Sequence, residues 1–326
     1  MSWRYHYDII PPEKIQVFWV RATWYRRFID LWKNARVPAE EPGGAMHSVA
    51  HATDTESRTP MSAPIITFIS DFGYEDWFVG VVHGVIHEVC PQARIVDLNH
   101  SIEPGDIVRA AFILEAAAED FPPEALHLVV VDPGVGTNRR AIAVRARGQL
   151  YVGPDNGVLE WALRAPDAAV HVLAEDRFFR QPVSRTFHGR DVFAPVAAHL
   201  ARGVALESLG PRINDPVRIE RPTCRTVDGV LTGRIAYIDR FGNALTAIMA
   251  SDLWSTFRGL AEEDLSVDAG GRRIRGITYS YGEAPIGTLV AIIGSSNRLE
   301  IAQVGGHAAL RFGFGVGDPV TVRRER

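Results

Sequence analysis

The run VVVDPGVGTNRR, Val129 to Arg140, holds an acid and a base at a spacing that can do chemistry. An apolar β run delivers Asp132, Pro133, Gly134 and Gly136 turn the chain, and Arg139 follows. A carboxylate at the carboxyl end of a buried strand is where open α/β sheets place ligands. An arginine beside it is the group that would keep it ionised at neutral pH. A tight turn with a surface arginine explains the same residues without any chemistry. TFHGRD, Thr186 to Asp191, adds His188 beside a glycine, just ahead of a helix beginning near Asp191. Within reach of Asp132 and Arg139, a histidine would supply proton transfer near neutral pH. Taken alone, a loop histidine serves structure more often than catalysis.

Other loops present further candidates. SDFGYEDW puts Asp71 at a strand end, with Glu75 and Asp76 close behind. Asp71 could grip the vicinal hydroxyls of a ribose, bind a divalent metal, or only cap the following helix. GPDNG, Gly153 to Gly157, offers Asp155 and Asn156, although turn chemistry alone accounts for it. Farther on, IDRFGN carries Asp239, Phe241 and Asn243, TYSYGE carries Tyr279, and GSSNRLEIA carries Ser295, Ser296 and Asn297. An aromatic pair plus an amide meets the needs of an adenine ring, and turn or barrel-core duty is the plainer reading. His83 and His87 have the i, i+4 spacing of metal ligands, but HGVIH lacks the glutamate of a metalloprotease helix and nominates no third ligand. His100, in DLNHSIEP, is equally open.

The elements that must position these loops fall into two textures. From Ile65 the pattern is strand, loop, helix: IITFIS, a helix from about Phe78 to Val89, ARIVDL, a helix from about Asp106 to Glu119, then LHLVVVD, AIAVRA and QLYVGPD. Short apolar strands alternating with longer helices predict an α/β domain, over 63–215, built on a largely parallel sheet covered on both faces. Over 220–326 the chain reads as seven short strands cut by Gly, Asp and Asn turns, including a hairpin at Asp268–Gly271. That texture predicts a small antiparallel β-barrel domain.

Composition bounds the rest. The chain has 326 residues, 46% hydrophobic and 23% charged, as a globular protein of two domains would. A net charge of -4 argues against a nucleic-acid partner. Cys90 and Cys224 are too few for a disulfide framework or zinc site and fit a reducing, cytoplasmic setting. No apolar run approaches the ~20 residues that span a bilayer. Residues 1–60 stand apart, with four of the seven tryptophans and, between Glu13 and Arg36, six basic residues against two acidic ones. They read as an extension with an amphipathic helix near 13–36, able to touch a membrane surface or a partner, and then a linker. Arg21, Arg26 and Arg27 break any secretory-signal core, and Met46 or Met61 could be the true start.

Taken together and in order, ITFISDFGYEDWFVG, IVDLNHSIEPGDIVRAA, VVVDPGVGTNRR, YVGPDNGVL, TFHGRDVFAPVAAHLA, IDRFGN and NRLEIA resemble the S-adenosyl-L-methionine (SAM) hydrolase family. That family is also called SAM hydroxide adenosyltransferase and is related to the SAM-dependent fluorinase and chlorinase. The resemblance covers roughly residues 63 to 326 and leaves the first 60 without a counterpart. It implies an α/β domain followed by a β-barrel, a homotrimer with sites between the first domain of one subunit and the second of the next, and no metal or other cofactor. The implied reaction is attack of water on C5′ of the SAM ribose, giving adenosine and L-methionine. The implied water-handling triad is Asp132, Arg139 and His188, with Asp132 and His188 holding the water and accepting its proton. Asp71 is implied to hold the ribose, Asp239 the methionine amino group, and Phe241, Asn243 and Tyr279 the adenine. Ser295 and Ser296 fall at the methionine carboxylate, where the halogenases carry an Arg after the Ser.

The halogenases also have a Tyr and a Thr where this chain has Asp132 and Val135, and a Ser where it has Gly189. A carboxylate ~4 Å from a halide costs about 4 kcal/mol at an effective dielectric near 20, so Asp132 favours water as the nucleophile. Three alternatives stay open at this stage. They are a halogenase of the same family, a metal-dependent nucleoside or phosphoester hydrolase using Asp71, Asp76 and Asp132, and a non-catalytic SAM or adenosine sensor.

Overall fold

The computed structural model describes residues 63–325, so the helix, linker and alternative starts read in the first 60 residues lie outside it. The first half runs β1 (Ile65–Ser70), α1 (Phe78–Val89), β2 (Arg94–Asn99), α2 (Ile107–Ala118), β3 (Leu126–Val130), β4 (Ala141–Ala146), β5 (Gln149–Pro154), α3 (Glu160–Leu163), β6 (Ala169–Val172), α4 (Ala194–Ala201) and β7 (Arg212–Ile213). The strands form one seven-stranded sheet in the order β2-β1-β3-β5-β4-β6-β7. Pairing is parallel from β2 to β5 and antiparallel from β5 to β7.

Strand alternation explains how the sheet is covered. Ile66, Phe68, Leu128 and Val130 pack on one face with Val82 and Ile86 of α1 and Val196 and Ala197 of α4. Ile69, Val129, Ile142 and Val144 pack on the other with Ala110 and Leu114 of α2. A strand buried on both faces needs apolar residues at every position, which is why LHLVV reads as an unbroken run. The sheet turns antiparallel where Arg147 and Gly148, both at positive φ, make a two-residue hairpin between β4 and β5.

The second half runs β8 (Arg225–Val227), β9 (Val230–Ile238), β10 (Ala244–Met249), α5 (Ala250–Thr256), β11 (Leu265–Ala269), β12 (Arg272–Arg275), β13 (Leu289–Ile293), β14 (Arg298–Gln303), α6 (Ala308–Phe312) and β15 (Pro319–Arg324). Seven of its eight strands follow the order β12-β11-β15-β9-β10-β14-β13, with β8 beside β9. A bridge from Thr278 to Ile292 brings the two ends together, so the antiparallel sheet is a nearly closed barrel. Leu231, Ile235, Val267, Leu299, Ile301, Val320 and Val322 fill its interior. The Gly270–Gly271 turn, with both residues at positive φ, joins β11 to β12 at the expected hairpin. β8, all three of whose residues are exposed, is the eighth strand and lacks the apolar alternation that marks the other seven.

The two halves meet through α2 and the barrel wall. The Arg298 guanidinium of β14 donates to Glu115 at 2.7 Å, and the Phe112 and Tyr237 rings stack with centroids 4.8 Å apart. Among the described residues no helix is long and apolar enough to cross a membrane.

Candidate active site

The carboxyl ends of the parallel strands carry the candidate loops. β3 delivers Asp132 two residues beyond its end, and Asn156 props that point by donating its side-chain amide to the Val131 carbonyl at 2.9 Å. Asp155 is likewise occupied, accepting from Arg140 Nε at 2.7 Å and from the Val217 N–H at 2.8 Å. The GPDNG turn therefore supports the site from behind.

The loop after Asp132 doubles back so that Arg139 faces the aspartate. Arg139 Nε lies 2.9 and 3.0 Å from the two Asp132 oxygens, and its Nη2 also donates to Oδ2. The same Nη2 lies 2.7 Å from His188 Nδ1, so one guanidinium joins the aspartate to the histidine. An arginine only donates, so Nδ1 accepts and the ring proton belongs on Nε2. Gly136 permits the loop's approach to the His188 segment: at φ +76°, a Cβ there would stand 2.3 Å from the Arg185 carbonyl oxygen. The Asp132 side chain is only 6% exposed, and the Arg139 guanidinium lies over the Phe193 ring.

His188 leads into a single π-helical turn, Gly189–Phe193, before α4 begins at Ala194. The helix expected near Asp191 thus begins at Gly189 as a π turn and continues as α4. Asp191 instead secures the preceding loop, accepting from the Ser184 N–H at 2.8 Å and from Arg190 Nε at 2.6 Å. Burial, then the Arg139 charge, hold the His188 imidazole below its ordinary value, with Asp132 and Asp191 opposing. A Cβ on Gly189 would come within 3.1 Å of Phe72 Cζ.

Asp71 closes this cluster from β1. It does not cap α1, whose N-cap is Trp77 and has no side-chain cap bond. Its Oδ2 accepts from the Gly105 N–H at 2.8 Å. Burial pushes its carboxyl above the usual value; the Gly105 bond opposes and Asp132 adds to the rise. Below it Ser70 Oγ and His100 Nδ1 are 2.6 Å apart, and His83 Nε2 lies 2.9 Å from Asp97. These contacts occupy His83 and His100, and among the described residues no three His, Cys, Asp or Glu side chains gather to hold a metal.

A second group lies in the loops after β9, after β12 and ahead of β14. Asp239 accepts from the Asn243 backbone N–H at 2.8 Å and from its side-chain amide at 3.0 Å. Phe241 is 75% exposed and Tyr279 86% exposed. Ser295 and Ser296 lie in the turn joining β13 to β14, and the Ser296 hydroxyl is buried without a partner. Beside them stands Glu300, which the sequence reading did not single out. Its only sequence signal is an acid inside the apolar run LEIA. Among the described residues no hydrogen bond or ion pair joins this second group to Asp71, Asp132, Arg139 and His188.

Known proteins share this architecture. Residues 66–210 match the model of the SAM hydroxide adenosyltransferase N-terminal domain, and residues 233–321 that of its C-terminal domain. The chain is 41% identical to the (R)-S-adenosyl-L-methionine hydrolase of Thermus thermophilus over 265 residues, 78% of this chain and 98% of that protein. Against the (R)-S-adenosyl-L-methionine hydrolase of Salinispora tropica it is 39% identical over 264 residues, covering 79% and 97%. Proteins named fluorinase are more distant relatives. A solved structure of an uncharacterized conserved protein from Thermotoga maritima superposes with a TM-score of 0.75 and 34% identity, covering 79% of this chain and all of that one. The chain belongs to the SAM hydroxide adenosyltransferase family.

Proposed function

We propose that the protein hydrolyses S-adenosyl-L-methionine to adenosine and L-methionine by attack of water on ribose C5′. The observation that carries this reading is the Arg139 bridge between Asp132 and His188, set beside Asp71. Water bonds to C5′ as the C5′–S bond breaks, its electron pair going to sulfur. The sulfonium becomes a neutral thioether, a good leaving group, so positioning the water is the main task. Asp132 accepts the water proton through lone pairs that Arg139 leaves free. His188, protonated on Nε2, donates to the water oxygen and holds it in line; the direction of its bond to Arg139 leaves the proton to Asp132 alone. Asp71 holds the ribose hydroxyls.

In the barrel, Asp239 takes the methionine amino group, Phe241, Asn243 and Tyr279 the adenine, and Ser295 and Ser296 the methionine carboxylate. We place the division between domains at 63–215 and 220–326. The working form is a cytoplasmic homotrimer, in which the barrel of a second copy completes each site. The lack of any hydrogen bond or ion pair between the two groups among the described residues, and the exposure of Phe241 and Tyr279, support that assembly. The Asp132 carboxylate and the crowding over Gly189 weigh against a halide as nucleophile.

Incubation with SAM, with and without chloride and a chelator, tests the reading. Equal amounts of adenosine and methionine, indifferent to both additions, are expected. Halogenated nucleoside, or loss of activity in chelator, overturns it.

A further inference from the structure

Glu300 interrupts the apolar run of β14 and is only 6% exposed. A buried carboxylate is tolerated where a cation or several donors meet it, or where it keeps a proton. Among the described residues Glu300 has no cationic partner; its side-chain hydrogen bond comes from the Tyr281 hydroxyl, 3.4 Å from Oε2. The charge that bears on it is that of a second acid, Asp239. Burial and the Asp239 charge push the Glu300 carboxyl above its ordinary value, with the Tyr281 bond opposing. Burial, then Glu300 and Asp239, push the Tyr281 phenol up to about 12.

The surroundings give this pair a direction. A Cβ on Gly294 would stand 1.7 Å from Glu300 Oε1, so the carboxylate lies directly against the turn that carries Ser295 and Ser296. The partnerless Ser296 hydroxyl is in that turn. Two acids that have no cationic partner among the described residues suit a ligand that brings one. A primary ammonium has three N–H donors, which two carboxylates can accept. A calcium-like ion needs six or more oxygens, and a guanidinium needs a coplanar fork.

Resting on the hydrolase reading, we propose that Glu300 acts with Asp239 as a second specificity residue for the α-ammonium of the methionyl group. It separates ligands that carry the amino group from those that lack it, and it takes no part in the displacement at C5′.

The test compares the full-length protein with Glu300→Gln. Calorimetry in the presence of adenosine measures L-methionine and 4-(methylthio)butanoate, the same molecule without its amino group. The variant is expected to bind L-methionine roughly tenfold more weakly and to raise KM for SAM by a similar factor. Its kcat should stay within about twofold, its affinity for the butanoate should not change, and its Tm should equal or exceed that of the wild type, since repulsion from the Asp239 charge is gone. Should Glu300→Gln fail to fold, Glu300→Ser carries the same expectations. Equal weakening of both ligands, or of neither, overturns the proposal. If the wild type releases no adenosine from SAM while the variant still loses L-methionine selectively, the hydrolase reading falls and the role of Glu300 stands.

Discussion

The two residue groups answer the cost of buried charge in opposite ways. At the strand ends of the α/β half, Asp132 is met by a guanidinium that also holds His188, so acid, base and donor are fixed before anything binds. At the barrel rim, the Asp239 charge bears on the buried Glu300 with no cation between them among the described residues, and Phe241 and Tyr279 lie open. The first group is finished and the second is waiting. Chemistry that must orient one water gains from rigid, satisfied partners. A site that must recognise a cationic ligand gains from leaving its own charges unanswered until the ligand arrives.

The largest effect that could break this contrast is expected from Asp132→Asn. It should lower kcat about 10³-fold, a loss typical of removing a general base, with SAM binding changed only a few-fold. Parallel loss of binding would mean that the first group recognises substrate as well. Next comes mixing. Asp132→Asn and Asp239→Asn chains, each weak alone at low SAM, should on random exchange recover about a quarter of wild-type activity, because one site in four then has two intact halves. Activity that merely sums the two remnants would place both groups of a site on one chain.

The smallest effect concerns pH. His188 is held below its unperturbed value of 6.5, so it is neutral above pH 6.5 and gains a proton only as pH falls further. That proton must land on Nδ1, where Arg139 already donates. Accordingly kcat/KM should be level above pH 6.5 and drop several-fold toward pH 5, with Asp71, raised above 3.8, contributing at the lower end. Folding stability has the same sign for this group: it is fully present above 6.5 and declines as pH falls toward the lowered value. An acid limb centred above 6.5 would remove His188 from the mechanism.

Much of the fold was legible because burial on both faces writes unbroken apolar runs and hairpins write glycine turns. The β4–β5 hairpin was harder, since Arg147 adopts a positive φ that its residue type does not advertise. β8 carries no apolar signal, so nothing in RTV marks it. At the site, the local partners of Asp239 lie within one turn, and the Asp132–Arg139 pair within one loop. The Arg139–His188 contact spans 49 positions and depends on a π-helical turn, which has no sequence code. Asp155 and Asn156 looked available for a ligand because a turn sequence does not reveal that Arg140, Val217 and Val131 will claim their side chains. Glu300 shows the opposite limit: a single acid in a strand reads as an exception until the Tyr281 hydroxyl and the Gly294 turn against it are known.

Gly136 has a consequence for how the site holds together. Because any side chain at this position would run into the Arg185 carbonyl, only a glycine lets the segment carrying Asp132 and Arg139 pack this closely on the segment carrying His188. One glycine and one guanidinium thus bind three side chains from two distant stretches of sequence into a single unit.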